Sequence, residues 1–267
     1  MTGEAPMTGE TPMTAASPAD APAATPPAHG AGPVRAIWSL LLRSIATKPR
    51  VAGLGLLGLG AVVIGVAIRA ANPLDRAGAT WSLVDSYGLS LLVPVVALLF
   101  GSAALGDVSE DGTLVYLWLR PVSRGWLALS AFAAAVSAAI PIAVVPLVIG
   151  AALGGGGAKL LAATAAGATL ATVAYSAVFC GLGLRVRRAL AWGLAYLLIW
   201  EQAVSRVSHG AARASLYIST RSLAAHVAGR QPPRNAVAWT TGLVLPLVVT
   251  AVALLLTARS LDRGEIA

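Results

Sequence analysis

Six apolar stretches dominate this chain, near residues 51–69, 86–106, 125–151, 158–183, 188–207 and 236–257. Each meets the length of about 20 residues that an α-helix needs to cross a bilayer. A backbone in lipid has to satisfy its own hydrogen bonds, so runs of this kind fold as helices. Of the 267 residues, 57% are hydrophobic and only 11% charged, well below the roughly 25% charged residues of a soluble domain. The fold class that follows is an all-α integral membrane protein with six transmembrane helices. An even number of spans puts both termini on one side. More bases flank the spans on that side than on the other, led by Arg185, Arg187 and Arg188, and the positive-inside bias makes it cytoplasmic. Most of the contrary charge comes from the segment between spans five and six.

The flanks of the spans divide the chain further. Residues 1–33 carry a degenerate repeat, MTGEAP, MTGETP, MTAASP, rich in Pro, Ala and Thr. With no hydrophobic periodicity, this tail is expected to be disordered. It has neither the basic start nor the apolar core of a signal peptide. Over residues 34–49, Val34, Ile37, Trp38, Leu41, Leu42 and Ile45 follow helical spacing, with Arg35, Ser39 and Arg43 opposite. That pattern predicts an amphipathic helix lying in the membrane interface and ended by Pro49. Residues 50–260 then form the six-span domain, and 261–267 a cytoplasmic tail. Gly53, Gly55, Gly58 and Gly60 spell a dinucleotide-binding pattern, but no strand precedes them. Close helix packing in lipid accounts for them better. Pro94, Pro141 and Pro146 fall inside spans two and three and predict kinks.

Between spans two and three lies Gly106 to Arg124, GDVSEDGTLVYLWLRPVSR. Asp107, Glu110 and Asp111 come first and Arg120 and Arg124 last, an order that suits a short helix and its macrodipole. Leu114, Leu117 and Trp118 share one face of it, and Pro121 stops it near Leu119 or Arg120. Residue chemistry allows two readings: an apolar ridge built to dock on a partner, or a loop whose aromatics rest on lipid headgroups.

The string Glu110, Gly112, Thr113, then Pro121, Val122, Ser123 and Arg124, resembles the loop between spans two and three in type-2 ABC transporter permeases. Span order and length extend the resemblance over about residues 34–260. Asp111 and the Tyr116/Trp118 pair depart from what many members carry. The resemblance implies a permease subunit of an ATP-driven exporter, working as a homodimer in the bacterial plasma membrane. The loop would then be a coupling helix seated in a groove of a separate ATPase subunit, two copies per dimer, which binds the ATP and Mg. Glu110, Asp111, Gly112, Thr113, Leu114, Leu117, Trp118, Pro121 and Arg124 would make that contact. An elbow helix before the first span is implied as well.

From Glu201 to Arg234 the chain is too polar to span and too apolar for a free loop. Two short re-entrant helices dipping into the outer leaflet before span six fit this mixture, and the resemblance implies the same. A carboxylate near a span end is costly unless paired or wetted. Glu201 is therefore read as the ion-pair partner of Arg206 or Arg213, or else as a group lining the exit path.

Several functions find no support in the residues. One cysteine, Cys180, excludes a disulfide within the chain and reads as a packing residue. His29, His209 and His226 lack metal-ligand spacing. Ser208 and His209 are adjacent, do not face each other on a helix, and have no third member. A G-x-x-x-x-G-K-[ST] phosphate loop is missing from the sequence, so any ATP has to be bound by another chain. The +8 net charge is explained by membrane anchoring rather than nucleic acid, because the bases flank apolar runs. No ionisable residue falls at the centre of spans two, three or four as bounded above, which disfavours an ion-gradient carrier. A competing class is a non-transporting scaffold or immunity-type protein whose loop recruits a cytoplasmic partner. The few charges along the predicted pathway favour a lipid, peptide or other amphiphile over a small ion.

Overall fold

A computed structural model describes residues 31–110, 124–204, 214–231 and 236–263. Every regular element among them is helical: α1 Ala31–Ile45, α2 Lys48–Ala71, α3 over 76–110, α4 Arg124–Leu153, α5 Ala158–Arg185, α6 over 189–204, α7 Leu216–Val227 and α8 Trp239–Arg263. Five of these (α2, α3, α4, α5 and α8) are long and apolar enough to cross a membrane. Large apolar side chains such as Leu56 and Val63 on α2, and Val248 and Leu255 on α8, lie exposed on the outside of the bundle. A water-soluble monomer does not present apolar faces of this extent. The chain is a multi-pass membrane protein.

α2 to α5 alternate in direction, and α8 runs parallel to α5. Arg50, Asp107, Arg124, Arg185 and Leu261 gather at one end of the bundle, here termed the loop face. Thr80 and Gly154 meet at the far face. α3 and α5 are the most deeply buried of the long helices, while α2 and α8 lie at the periphery. Several hydroxyls inside the bundle are satisfied locally. The hydroxyls of Ser102, Thr164, Thr172, Thr250 and Thr257 each donate to the carbonyl four residues earlier, at 2.6–2.8 Å.

Several boundaries differ from the sequence reading. α1 ends at Ile45, and Pro49 sits in the first turn of α2. There its missing N–H costs nothing, so it starts a helix rather than stopping one. Ile37, Leu41 and Ile45 are the buried side of α1, which packs on α4. Residues 31–33, assigned to the tail, are already helical, and α8 runs on to Arg263. The second span begins at Arg76, ten residues earlier than its apolar core suggested. Asn72 in the left-handed conformation closes α2 before Pro73, and the Asp75 carboxylate then caps the next helix by accepting from the Gly78 N–H at 2.7 Å.

The stretch read as span five is shorter than a bilayer. α6 has an α-helical start, Ala189–Ala195, and a π-helical end, Tyr196–Val204. At 1.5 Å per residue its 16 residues reach roughly 24 Å. π-Helical turns also occupy Leu83–Leu92, just before Pro94, and Ile140–Val144, which contains Pro141. The internal prolines are thus absorbed by changes in helix winding, a recognised source of bends.

The glycines of the first span divide by position. A Cβ on Gly58 would meet the Ile142 carbonyl at 2.5 Å, and one on Gly65 would meet the Gly150 backbone. Gly53 and Gly55 have nothing within 4 Å. Close packing of α2 on α4 therefore depends on Gly58, Gly65 and Gly150.

Candidate functional site

The most unusual arrangement in the bundle is built around α7. This helix has 12 residues, roughly 18 Å, too short to cross a bilayer core of about 30 Å. Its last turn lies at the far face. There His226 stacks on Trp239 at 5.7 Å, and the Arg230 guanidinium just beyond it lies 5.7 Å from the Trp81 ring. Its first turn points into the bundle interior, where nearly every residue from Leu216 to Ala225 is buried. A helix that starts in an apolar interior leaves its first N–H groups without partners and its positive dipole end without solvent.

Glu201 supplies both needs. It is buried, and Oε1 accepts from the Leu216 N–H at 3.2 Å and from the Tyr196 hydroxyl at 3.1 Å. Oε2 accepts from the Ser215 hydroxyl at 2.5 Å and from the Tyr217 N–H at 3.4 Å. Ser215 is itself the N-cap of α7, its oxygen accepting from the Ile218 N–H at 3.1 Å while its proton goes to Glu201. The buried Tyr175 hydroxyl of α5 faces the same carboxylate. Tyr175 stacks on Phe179 at 5.9 Å, and Phe179 meets Tyr196 edge-on at 6.3 Å. One carboxylate from α6 thus holds the inner end of α7.

A second carboxylate holds the next turn. Asp85 lies in the π-helical part of α3 and is buried. Its Oδ2 contacts Arg221 Nη2 at 2.6 Å, and its Oδ1 accepts from the Tyr217 hydroxyl at 2.9 Å. Arg221 and Tyr217 sit four residues apart on one side of α7, with the guanidinium 5.8 Å from the Tyr217 ring centre. Tyr217 joins the two carboxylates, its N–H on Glu201 and its hydroxyl on Asp85.

Of the residues singled out from the sequence, Glu201 lies within this network, held by donors on α6 and α7. Arg206 and Arg213, expected as its partners, lie outside the described residues, as does part of the segment assigned to re-entrant helices. Asp111, Gly112, Thr113, Leu114, Leu117, Trp118 and Pro121 lie outside them too, and with them the body of the expected coupling helix. Its edges are described. Asp107, taken from sequence as the acidic start of a new helix, instead belongs to the last turn of α3 and binds Arg50 at 2.6 Å. Glu110 is the final residue of that helix. Arg124 opens α4 and donates to the Leu261 carbonyl of α8. On α5, Arg185 donates to Ser260 Oγ at 2.6 Å.

Asp85 was missed because the span was bounded at residue 86. Its signal is in the sequence: a lone carboxylate nine residues after Arg76, inside an otherwise apolar run. Neither known protein families nor curated protein sequences give a match to this chain.

Proposed function

We propose that this chain is the membrane-spanning permease subunit of a type-2 ABC exporter, coupled through loop 106–124 to a separate ATPase subunit. The observation that carries the proposal is the string Glu110, Gly112, Thr113 … Pro121, Val122, Ser123, Arg124, placed between the second and third long helices. The helix order around it fits the same reading. An amphipathic helix precedes the first span, and a half-length helix precedes the last. In this reading α6 is the fifth span and α8 the sixth, α7 is re-entrant from the outer leaflet, and α1 lies at the inner interface. The loop face is then cytoplasmic, with both termini there, and two copies pair around a shared pathway.

The bilayer supports the placement of α7. Counting along the helices, Asp85 lies about 14 Å from the far end of α3 and Glu201 about 18 Å from the loop-face end of α6. In a core of about 30 Å the two carboxylates reach the same depth, near the middle. Ionised groups there need partners, and α7 brings them. Asp85 also bears on the ion-gradient alternative, because it is an ionisable group inside a span. Arg221 and Tyr217 occupy its two oxygens, which favours a structural role over an open ion site.

The test is affinity purification of the tagged chain from native membranes. A co-purifying protein with a G-x-x-x-x-G-K-[ST] loop and ATPase activity is expected. Glu110→Lys with Leu117→Asp should abolish its recovery while membrane insertion persists. Unchanged recovery removes the coupling assignment. A recovered partner without nucleotide hydrolysis favours the scaffold class.

A further inference from the structure

We propose that Asp85 and Arg221 form a latch that fastens α7 to the second span and relays displacement of that span to the far half of the bundle. The relay rests on the reading of loop 106–124 as a driven element; the latch itself does not.

Three observations converge on it. First, among the described residues α7 meets an interface at one end only. One end reaches the far face, and the other stops inside the bundle on polar contacts to Asp85 and Glu201. Its remaining hold among the described residues is the Val237 N–H on Ser222 Oγ at 3.2 Å and packing against α5 and α8, where a Cβ on Gly167 would touch the Ala224 side chain at 3.0 Å and one on Gly242 the Ser219 carbonyl at 2.8 Å. Second, α3 is continuous from Arg76 to Glu110. It carries Asp107 at the edge of the loop and Asp85 in its far half, so displacing one end moves the other.

Third, Asp85 sits in a π-helical segment, Leu83–Leu92. π-Helical turns hold an extra residue, and rewinding one to α geometry shifts the register by one residue, or about 100° of rotation. Such a step turns Asp85 away from Arg221. The Arg221 side chain is not fully enclosed, at 29% exposure. Its Nε is buried without a hydrogen bond among the described residues, so the closed state leaves a donor of Arg221 unused. Glu201, by contrast, spends both oxygens on the first turn of α7. The division of labour is a fixed end at Glu201 and a releasable contact at Asp85.

The experiment needs no ATPase, so its failure is separate from failure of the exporter reading. Cys180 is the sole cysteine, and Cys180→Ala gives a background for single reporters. Ala225→Cys places a thiol on the buried side of α7, and Ala135→Cys places a control on buried α4. Intact cells or right-side-out vesicles are treated with a membrane-impermeant maleimide. With the pair intact, both reporters should label slowly. Asp85→Asn, Arg221→Met and the double variant should each speed labelling at position 225 about tenfold or more, because reactivity follows the population of the opened form. Position 135 should stay slow. Position 225 remaining slow in all three variants overturns the latch, as does fast labelling there with the pair intact. Equal acceleration at both positions also overturns it, since the pair would then be holding the whole bundle. The double variant separates release from the effect of one charge left alone.

Discussion

Arg50 and Asp107, from the first and second spans, meet at 2.6 Å and close the loop-face ends of α2 and α3 on each other. A second contact, Nη2 to Oδ1, is 3.4 Å long. The acid stands in the last turn of α3, where a helix dipole disfavours it, and the arginine offsets that. Both side chains stay accessible, at 32% and 39%. Exposed pairs contribute at most about 1 kcal/mol.

Arg50→Gln or Asp107→Asn should therefore lower the thermal midpoint of the detergent-solubilised protein by no more than about 4 °C, the shift that 1 kcal/mol gives in a chain of this size. Differential scanning fluorimetry measures it. A collapse of the folded state would mean that the pair is far better shielded than its accessibility shows.

The α2–α4 crossing should be much less forgiving. Gly65→Ala puts a methyl group onto the Gly150 backbone, and backbone cannot turn aside as a side chain can. The helices have to separate, at a cost of about 1–3 kcal/mol. Gly53→Ala meets nothing within 4 Å and should be neutral or stabilising, by up to about 1 kcal/mol from helix propensity. Unfolding titrations in mixed micelles should rank Gly53→Ala at or above the parent and Gly65→Ala below it. Equal midpoints for the two variants would contradict the close crossing.

These two glycines also mark where sequence reading stops. Apolar run length located the helices, because burial in lipid demands it of every span. It could not say which glycines of the first span face a neighbour, since that depends on rotation about the helix axis. The limits of the second span were misjudged for a related reason. Polar residues such as Arg76 and Asp85 lower local hydropathy, yet the helix includes both, with partners supplied from α2 and α7. Glu201 was legible as a carboxylate needing a partner. That the partners would be α7's own N–H groups was not, because the contact joins residues 14 to 16 positions apart, far beyond the spacing of one helical turn.

Orientation gives a third test. On the Cys180→Ala background, Lys159→Cys at the start of α5 should react with an impermeant maleimide added to intact cells. Arg187→Cys, in the turn after α5, should react only once the membrane is opened. Both positions are exposed, so access depends on sidedness alone. The reverse pattern would place loop 106–124 outside the cell and remove the ATPase contact with it.

Replacing Glu201 probes whether α7 is held by its cap. Glu201→Gln keeps the shape but turns one accepting oxygen into a donating amide. Among the described residues four donors converge on Glu201, two on each oxygen, so at least one meets another donor. The cost of an unsatisfied buried donor is about 1–3 kcal/mol. Glu201→Leu removes every acceptor and leaves the Leu216 and Tyr217 N–H groups in an apolar interior, so its loss should be larger. The expected order of thermal midpoints is parent, then Gln, then Leu, with less monodisperse protein on size exclusion for the last. Buried charges can sometimes be replaced by packed hydrophobes at no loss, and that sets the opposing outcome. A Leu variant as stable as the parent would mean that packing on α5 and α8 holds the half-length helix without the carboxylate.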